Sequence, residues 1–410
     1  MSDGIPDDQL ALAMSLGSAV RGTNQSGMRA HNERLILSLV RRYGSLAQRD
    51  VAKATGLSAQ TISVIIRQLE RDGLLIRGVP TRGRVGQPSV PMSLNAKGAY
   101  SIGLKVGRRA ADIILIDFLG NILLHLHRAF EFTLPEGITE FMKEGAARIQ
   151  TFLTDEEFAR VAGIGIATPF EMWNWADEIG APVEKMELWR DFDLGQAVGA
   201  IVPYPVFIQN DATSACGAEL VFGVGPRFSE FIYFYIGSFA GGGVVINSSL
   251  FSGKSGNAGA VGSMLVPGLK GQPEQLISSA SIIVLERMLH EASIDPRPLW
   301  HHLMEWVDFG APLQRWIKQS AKSLAHAIVS ASSVIDFQAA VIDGNFPPWV
   351  REAIVRETRL AVEQLDCAGI QRPEIVQGEV GSQARAIGGA SLPLAARYLL
   401  DLNAYSVELV

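Results

Sequence analysis

The chain has 410 residues, 48% of them hydrophobic and 19% charged, with a formal net charge of −6. That composition excludes a disordered polymer and is enough for two or three domains with separate cores. Two cysteines, Cys216 and Cys367, exclude a disulfide framework or a four-cysteine metal centre, and no apolar run of membrane-spanning length and no cationic, apolar leader is present, so the expected compartment is the cytoplasm, with no membrane partner.

Residues 1–28, rich in Gly, Ser, Asp and Asn, read as a tail in which Leu10 to Val20 can form a short helix against a partner subunit. A helix is predicted from Glu33 to Arg42, and two more follow in Ser45 to Leu69. In that stretch Ser45, with Gln48 reaching back, is predicted to cap the first helix, and Ser58 the second. Gly56 tolerates a left-handed turn between them, Ala52 is small where the helices cross, and Ile62 anchors the second. Ile62, Ile65, Ile66 and Leu69 form an apolar stripe. Ser58, Ala59, Gln60, Thr61, Ser63 and Arg67 are left as the predicted DNA-contacting set, because Gln, Ser, Thr and Arg can read base edges from a helix in the major groove. The plain alternative is a helical hairpin with a solvated polar face.

The segment after Asp72 and Gly73 has two apolar runs around a Gly, Pro and Arg loop, the pattern of a β-hairpin wing. Arg82 and Arg84 fall at its tip, where arginines can enter a minor groove. From Arg29 to Lys97 there are twelve Lys or Arg and four acids, a balance of +8, leaving −14 for the rest of the chain. The net charge thus conceals a basic module joined to an acidic body, as phosphate binding by the first part requires.

From Tyr100 three apolar strands separated by turns read as a β-meander, and later strand and loop segments alternate with helical patterns such as Ile138 to Phe152, Ala280 to Ala292 and Leu313 to Ile335. An α/β body of two lobes follows. The expected division is a tail over 1–28, a winged helix-turn-helix over 29–95, a first lobe over 96–220 and a second over 221–410, whose last helix packs back on the first lobe.

Gly163, Gly165 and Pro169, Asn210 and Asp211, Gly241 to Gly243, Gly256 to Gly259, and the run around Gly388 together resemble the ROK family (repressors, open reading frames and kinases), within the actin-like ATPase and sugar kinase, or ribonuclease H-like, fold. A winged helix before such a body is the arrangement of the family's sugar-responsive regulators. The resemblance implies that Asn210 and Asp211 are a substrate-binding Asn and a catalytic base; an Asx turn capping a helix near Thr213 is the alternative. It also implies departures from the kinases. Lys105 stands in place of a metal-binding acid, Arg108 and Arg109 crowd a phosphate turn, Phe239 and Asp343 replace glycines, and Ala260 and Ser263 replace a Glu and a His.

No zinc and no other cofactor is expected, and the seven histidines, His301 and His302 included, show no metal spacing. Trp173, Trp175 and Trp189, with Glu171, Asn174 and Asp177, lie where the family closes over its sugar; indoles pack on pyranose rings, although core packing is the alternative. Asn210, Asp211, Trp173 and Asn174 are the expected effector residues, and no residue is expected to be catalytic. The resulting expectation is a repressor-type regulator, a homodimer or homotetramer on a double-stranded DNA operator, controlled by a carbohydrate or derivative. Two alternatives stay open: an ATP-dependent sugar kinase with an accessory DNA-binding domain, and a regulator with a vestigial pocket controlled by a protein partner.

Overall fold

The computed structural model describes residues 25–80, 90–174, 176, 180–268, 271–301 and 306–400. The expected tail and its short helix lie almost wholly outside them, as do Arg82 and Arg84 at the wing tip, Trp175 and Asp177. The chain divides into two compact units, residues 1–208 with 389–410, and residues 209–388. The division thus falls before the expected 220/221.

The first unit begins with α1 (Gln25–Tyr43), β1 (Leu46–Ala47), α2 (Gln48–Thr55), α3 (Ala59–Arg71), β2 (Leu75–Arg77) and β3 (Pro91–Leu94). α1 starts eight residues before the expected Glu33. The strands form a small antiparallel sheet in the order β1, β3, β2. Ser45 does not cap α2: Leu46 pairs with Met92, so the segment after Ser45 is strand, and the helix opens at Gln48 without a side-chain cap. Gly56 ends α2 in the left-handed conformation at φ 68°, which a side chain rarely adopts. Ile36, Val40, Val51, Ile62, Ile66 and Leu75 are buried together at its centre.

This module is fixed to the sheet that follows. Arg41 Nη2 donates to the carbonyl of Phe118 at 2.5 Å and its guanidinium lies over the Phe118 ring, which meets Tyr398 edge-on at 5.1 Å. Burial pushes the Arg41 guanidinium down to about 10, with the charge of Asp117 opposing.

The sheet itself comprises β4 (Tyr100–Val106), β5 (Ala110–Asp117), β6 (Ile122–Ala129), β7 (Val161–Thr168) and β8 (Val206–Asn210), in the order β6, β5, β4, β7, β8. β4, β5 and β6 are antiparallel neighbours, the expected meander, whereas β7 runs parallel to β4. α4 (Pro135–Phe152) covers one face through Ile138, Phe141, Met142 and Ile149, packing on Ile113 and Leu115.

In the second unit β9 (Phe231–Ile236), β10 (Ala240–Ile246), β11 (Ser249–Leu250), β14 (Ala339–Gly344) and β15 (Glu374–Gln377) form a five-stranded sheet in the order β11, β10, β9, β14, β15; β12 (Leu265–Pro267) and β13 (Pro273–Gln275) make a separate hairpin. α5 (Asp211–Phe222), α6 (Ile282–Glu291), α7 (Gly310–Ser332) and α8 (Pro348–Glu363) are its main helices. Trp306, Phe309, Trp316 and Phe346 lie in one buried cluster with ring centroids about 6 Å apart, the separation of favourable edge-on aromatic pairs. α9 (Ala384–Tyr398) carries the chain back to the first unit. Among the described residues no helix is long and apolar enough to cross a membrane.

Candidate nucleic-acid interface and effector residues

α3 is set by its sequence as a recognition-type helix. Ser58 caps it, its Oγ accepting from the Thr61 N–H at 3.1 Å and lying 2.8 Å from Thr61 Oγ1. Ile62, Ile65, Ile66 and Leu69 face inward. Ala59, Gln60, Thr61 and Arg67 are exposed and Ser63 is half-buried, so the structure leaves the first helical turn open on the side away from the core. Helical spacing identifies the direction opposite the core as Gln60, Val64, Arg67 and Arg71, all exposed.

Val64 and Arg71 were missed because residue type, rather than angle, selected the outward set; their i, i+4 and i+7 spacing from Gln60 and Val64 was the available signal. A valine there can contact a thymine methyl. Arg67 Nε meanwhile donates to the Ser63 carbonyl at 3.1 Å, along its own helix. Glu70, held below the usual carboxylate range by its hydrogen bonds with Arg77, ties α3 to the first wing strand.

The body's expected ligand residues are heavily engaged. Asn210 is the N-cap of α5, its Oδ1 accepting from the N–H groups of Ala212 and Thr213 at 3.1 and 3.2 Å, so the Asx-turn alternative holds for that oxygen and the helix starts at Asp211. Asp211 accepts from Ala212 N through Oδ1, and Oδ2 receives Arg385 Nη1 at 3.2 Å. Arg385 lies 4.9 Å over the Tyr235 ring, and both partners of the pair are 16% exposed. The Arg385 guanidinium thus occupies Oδ2 of the candidate base.

Trp173 and Asn174 belong to the first unit, Asn210 and Asp211 to the second. Trp173 is half-buried with the Arg190 guanidinium 5.2 Å from its ring, and exposed Asn174 donates to Glu171. Trp189 is a core residue, 5% exposed, its Nε1 donating to Thr133 O at 2.8 Å.

The glycine triplet Gly241–Gly243 is strand, not loop. A Cβ on Gly241 would come 2.8 Å from Ala212 Cβ, and one on Gly243 2.6 Å from Cys216 Cβ. The glycines therefore allow α5 to lie directly on β10. Nor is Asp343 a simple vacancy-filler at its expected glycine position. It is fully buried; Arg351 Nη1 donates to Oδ1 at 2.8 Å, the Gly344 and Gly381 N–H groups donate at 2.8 and 3.0 Å, and Tyr233 Oη donates at 3.3 Å.

Beside it, fully buried Glu219 accepts from Val380 N at 2.7 Å and Val224 N at 3.2 Å. Burial, joined by the charge of Asp343 and opposed by these N–H groups, pushes the Glu219 carboxyl up to about 7 from 4.5. The folded unit therefore binds a proton more tightly than the unfolded chain, and the stabilisation present below about pH 4.5 is lost as pH rises through 7, on the order of 3 kcal/mol. Glu219→Gln is expected to flatten that slope, measured by urea unfolding from pH 5 to 8. An unchanged slope would assign it to another group.

Two of the histidines share a carboxylate. His125 and His127 alternate to one face of β6, and Asp112 of β5 meets both; the nitrogens lie 3.0 and 2.7 Å from Asp112 Oδ1. A His-x-His spacing is ligand-competent only on a strand, and the partner carboxylate depended on the β5/β6 register.

Residues 29–76 match the winged helix-turn-helix DNA-binding profile and residues 101–396 the ROK family profile. The xylose repressor of Bacillus spizizenii is 28% identical over 243 residues, 59% of this chain and 62% of the repressor, so the match spans less than two thirds of that relative's length. The bifunctional enzyme NanE/NanK of Brucella melitensis biotype 1 is 30% identical over 217 residues, 51% of this chain and 39% of the enzyme. Among solved structures, a ROK family transcriptional regulator, described as a homologue of the E. coli MLC protein, superimposes with a TM-score of 0.62 at 17% identity over 95% of this chain and 97% of its own, a likeness of fold. The chain therefore belongs to the ROK family, with a winged helix-turn-helix DNA-binding domain preceding its sugar kinase-like α/β body.

Proposed function

We propose that this protein is a transcriptional regulator of repressor type that binds an operator through α3 and the wing and responds to a carbohydrate or derivative held by its ROK body without phosphorylating it. The observation that carries the reading is the exposed face of Gln60, Val64, Arg67 and Arg71 on a capped helix within a basic winged module. The similarity to a xylose repressor supports it. Against turnover stand the Arg385 guanidinium on Asp211 and the Lys105 ammonium, which bonds Asp112 where the family's kinases hold an acid. The similarity to an enzyme that includes a sugar kinase keeps phosphorylation as the competing reading.

Effector and operator act reciprocally in such a protein: each favours one conformation of the body, and each weakens the other by the same factor. Asp211 and Arg385 are the proposed sensing pair. A sugar hydroxyl can compete for the Asp211 carboxylate, and Arg385 stands in the first turn of α9. One winged helix reads a short half-site, so a homodimer or a homotetramer is proposed as the binding form.

Asp211→Asn preserves the hydrogen bond to Ala212 N and removes the charge. The variant is expected to keep operator affinity within about twofold and to lose the ligand's effect on it, measured by fluorescence anisotropy with the effector added. A full ligand response in this variant would move the effector site elsewhere. Incubation of the wild-type protein with ATP, magnesium and the same ligand tests the competing reading directly, since phosphorylated sugar would make it an enzyme.

A further inference from the structure

β6 is the edge strand of the first sheet. Its pleat presents His125 and His127 on one face, 35% and 54% exposed at their side chains, while Asp112 on β5 is 12% exposed. In register, Asp112 stands opposite His127 on one side and opposite Lys105 of β4 on the other. The carboxylate is divided between its neighbours: both imidazoles address Oδ1, and Lys105 Nζ donates to Oδ2 at 3.1 Å. The three potential ligand atoms all lie within 4.8 Å of one another.

We propose that Asp112, His125 and His127 form a binding site for a divalent first-row transition metal ion of the zinc class. Two imidazoles and a carboxylate suit such an ion and do not suit magnesium or calcium, which take shells of oxygen ligands. Around a tetrahedral zinc, ligands at about 2.0–2.1 Å from the metal stand about 3.3 Å apart. The observed 3.0 and 2.7 Å from nitrogen to Asp112 Oδ1 need widening by about 0.3 and 0.6 Å to reach that spacing, which two exposed imidazoles can supply by rotation. Each imidazole presents its lone pair once its N–H occupies the other ring nitrogen. Water completes the shell on the open side.

Lys105 has two opposed effects. Its hydrogen bond to Oδ2 fixes the carboxylate so that Oδ1 alone faces the metal, as outer partners of metal ligands commonly do. Its ammonium also repels the ion, which keeps affinity moderate. This site is separate from Asp211 and from α3, and it stands whether or not the effector reading does.

The test uses the full chain, tag removed and stripped with a chelator, titrated with cobalt(II) followed by visible absorption and with zinc(II) by calorimetry. One equivalent per chain with an intense cobalt band of tetrahedral type is expected. His125→Ala and His127→Ala should each weaken binding about 10-fold or more. Both histidines are exposed, so unchanged circular dichroism spectra are expected to accompany the losses. Absence of saturable binding, or binding equal in the wild type and the double histidine variant, would overturn the site and leave the cluster as an ion-pair network alone.

Discussion

Alanine at both Gln60 and Arg67 is expected to abolish the protein's preference for its operator over unrelated DNA while leaving the fold and much of the non-specific binding intact. Both side chains are exposed on the outward face of α3, whose stability comes from Ile62, Ile65, Ile66 and Leu69 beneath it and from the Ser58 cap. Truncating them therefore removes no core contact. A good base contact discriminates by about 1–3 kcal/mol, so losing two costs roughly a hundredfold or more in specific affinity at fixed salt. Arg67 has to leave the Ser63 carbonyl, its partner in this structure, to reach a base. Val64→Ala is expected to cost less, with the loss confined to a position carrying a thymine methyl. Retention of full selectivity by the double variant would show that α3 does not read the operator.

Arg351→Ala should produce the largest loss of stability in the second unit. Asp343 is fully buried, and Arg351 supplies a side-chain cation 2.8 Å away. Removing one partner of a buried pair costs about 3–5 kcal/mol, because the remaining charge is left without compensation; for a domain of this size that corresponds to roughly 10 °C in Tm. Burial raises the Asp343 carboxyl and Arg351 opposes that rise, so the loss is expected to be greatest at high pH, where the carboxylate form is favoured and Glu219 also ionises. Adding Asp343→Asn should recover much of the loss. Calorimetric scans of the two single variants and the double variant at pH 6 and 8 measure the coupling; an Arg351→Ala variant as stable as wild type would leave Asp343 satisfied by its backbone donors alone.

The winged module was legible from local signals. A four-residue apolar stripe at helical spacing, a capping serine at Ser58 and a glycine at the left-handed position are all short-range, and the structure places Ile62 and Gly56 as that pattern requires. The Ser45 cap failed because its alternative is long-range: Leu46 pairs with Met92, far along the chain. The body followed the same division. Its strands were visible as apolar runs, but the role of Gly241–Gly243 depended on Ala212 and Cys216 of α5. Asp343 was recognised as a departure from a glycine, whereas its bond to Arg351, one helix entry later, required the fold. Asp211 looked available in sequence, and only the return of the chain at Arg385 shows what it holds. Likewise His125 and His127 gain a partner only when β5 lies beside β6 in the observed register.

The most direct measurement is binding of the purified protein to a labelled duplex from upstream of its own gene, at two salt concentrations against unrelated competitor DNA, with a panel of sugars added to the complex. Specific, salt-sensitive binding that one sugar shifts, with no phosphorylated product when ATP and magnesium are supplied, is the expected result. Absence of specific binding on such a fragment, together with sugar phosphorylation, would contradict the proposed regulator and make the body a working kinase.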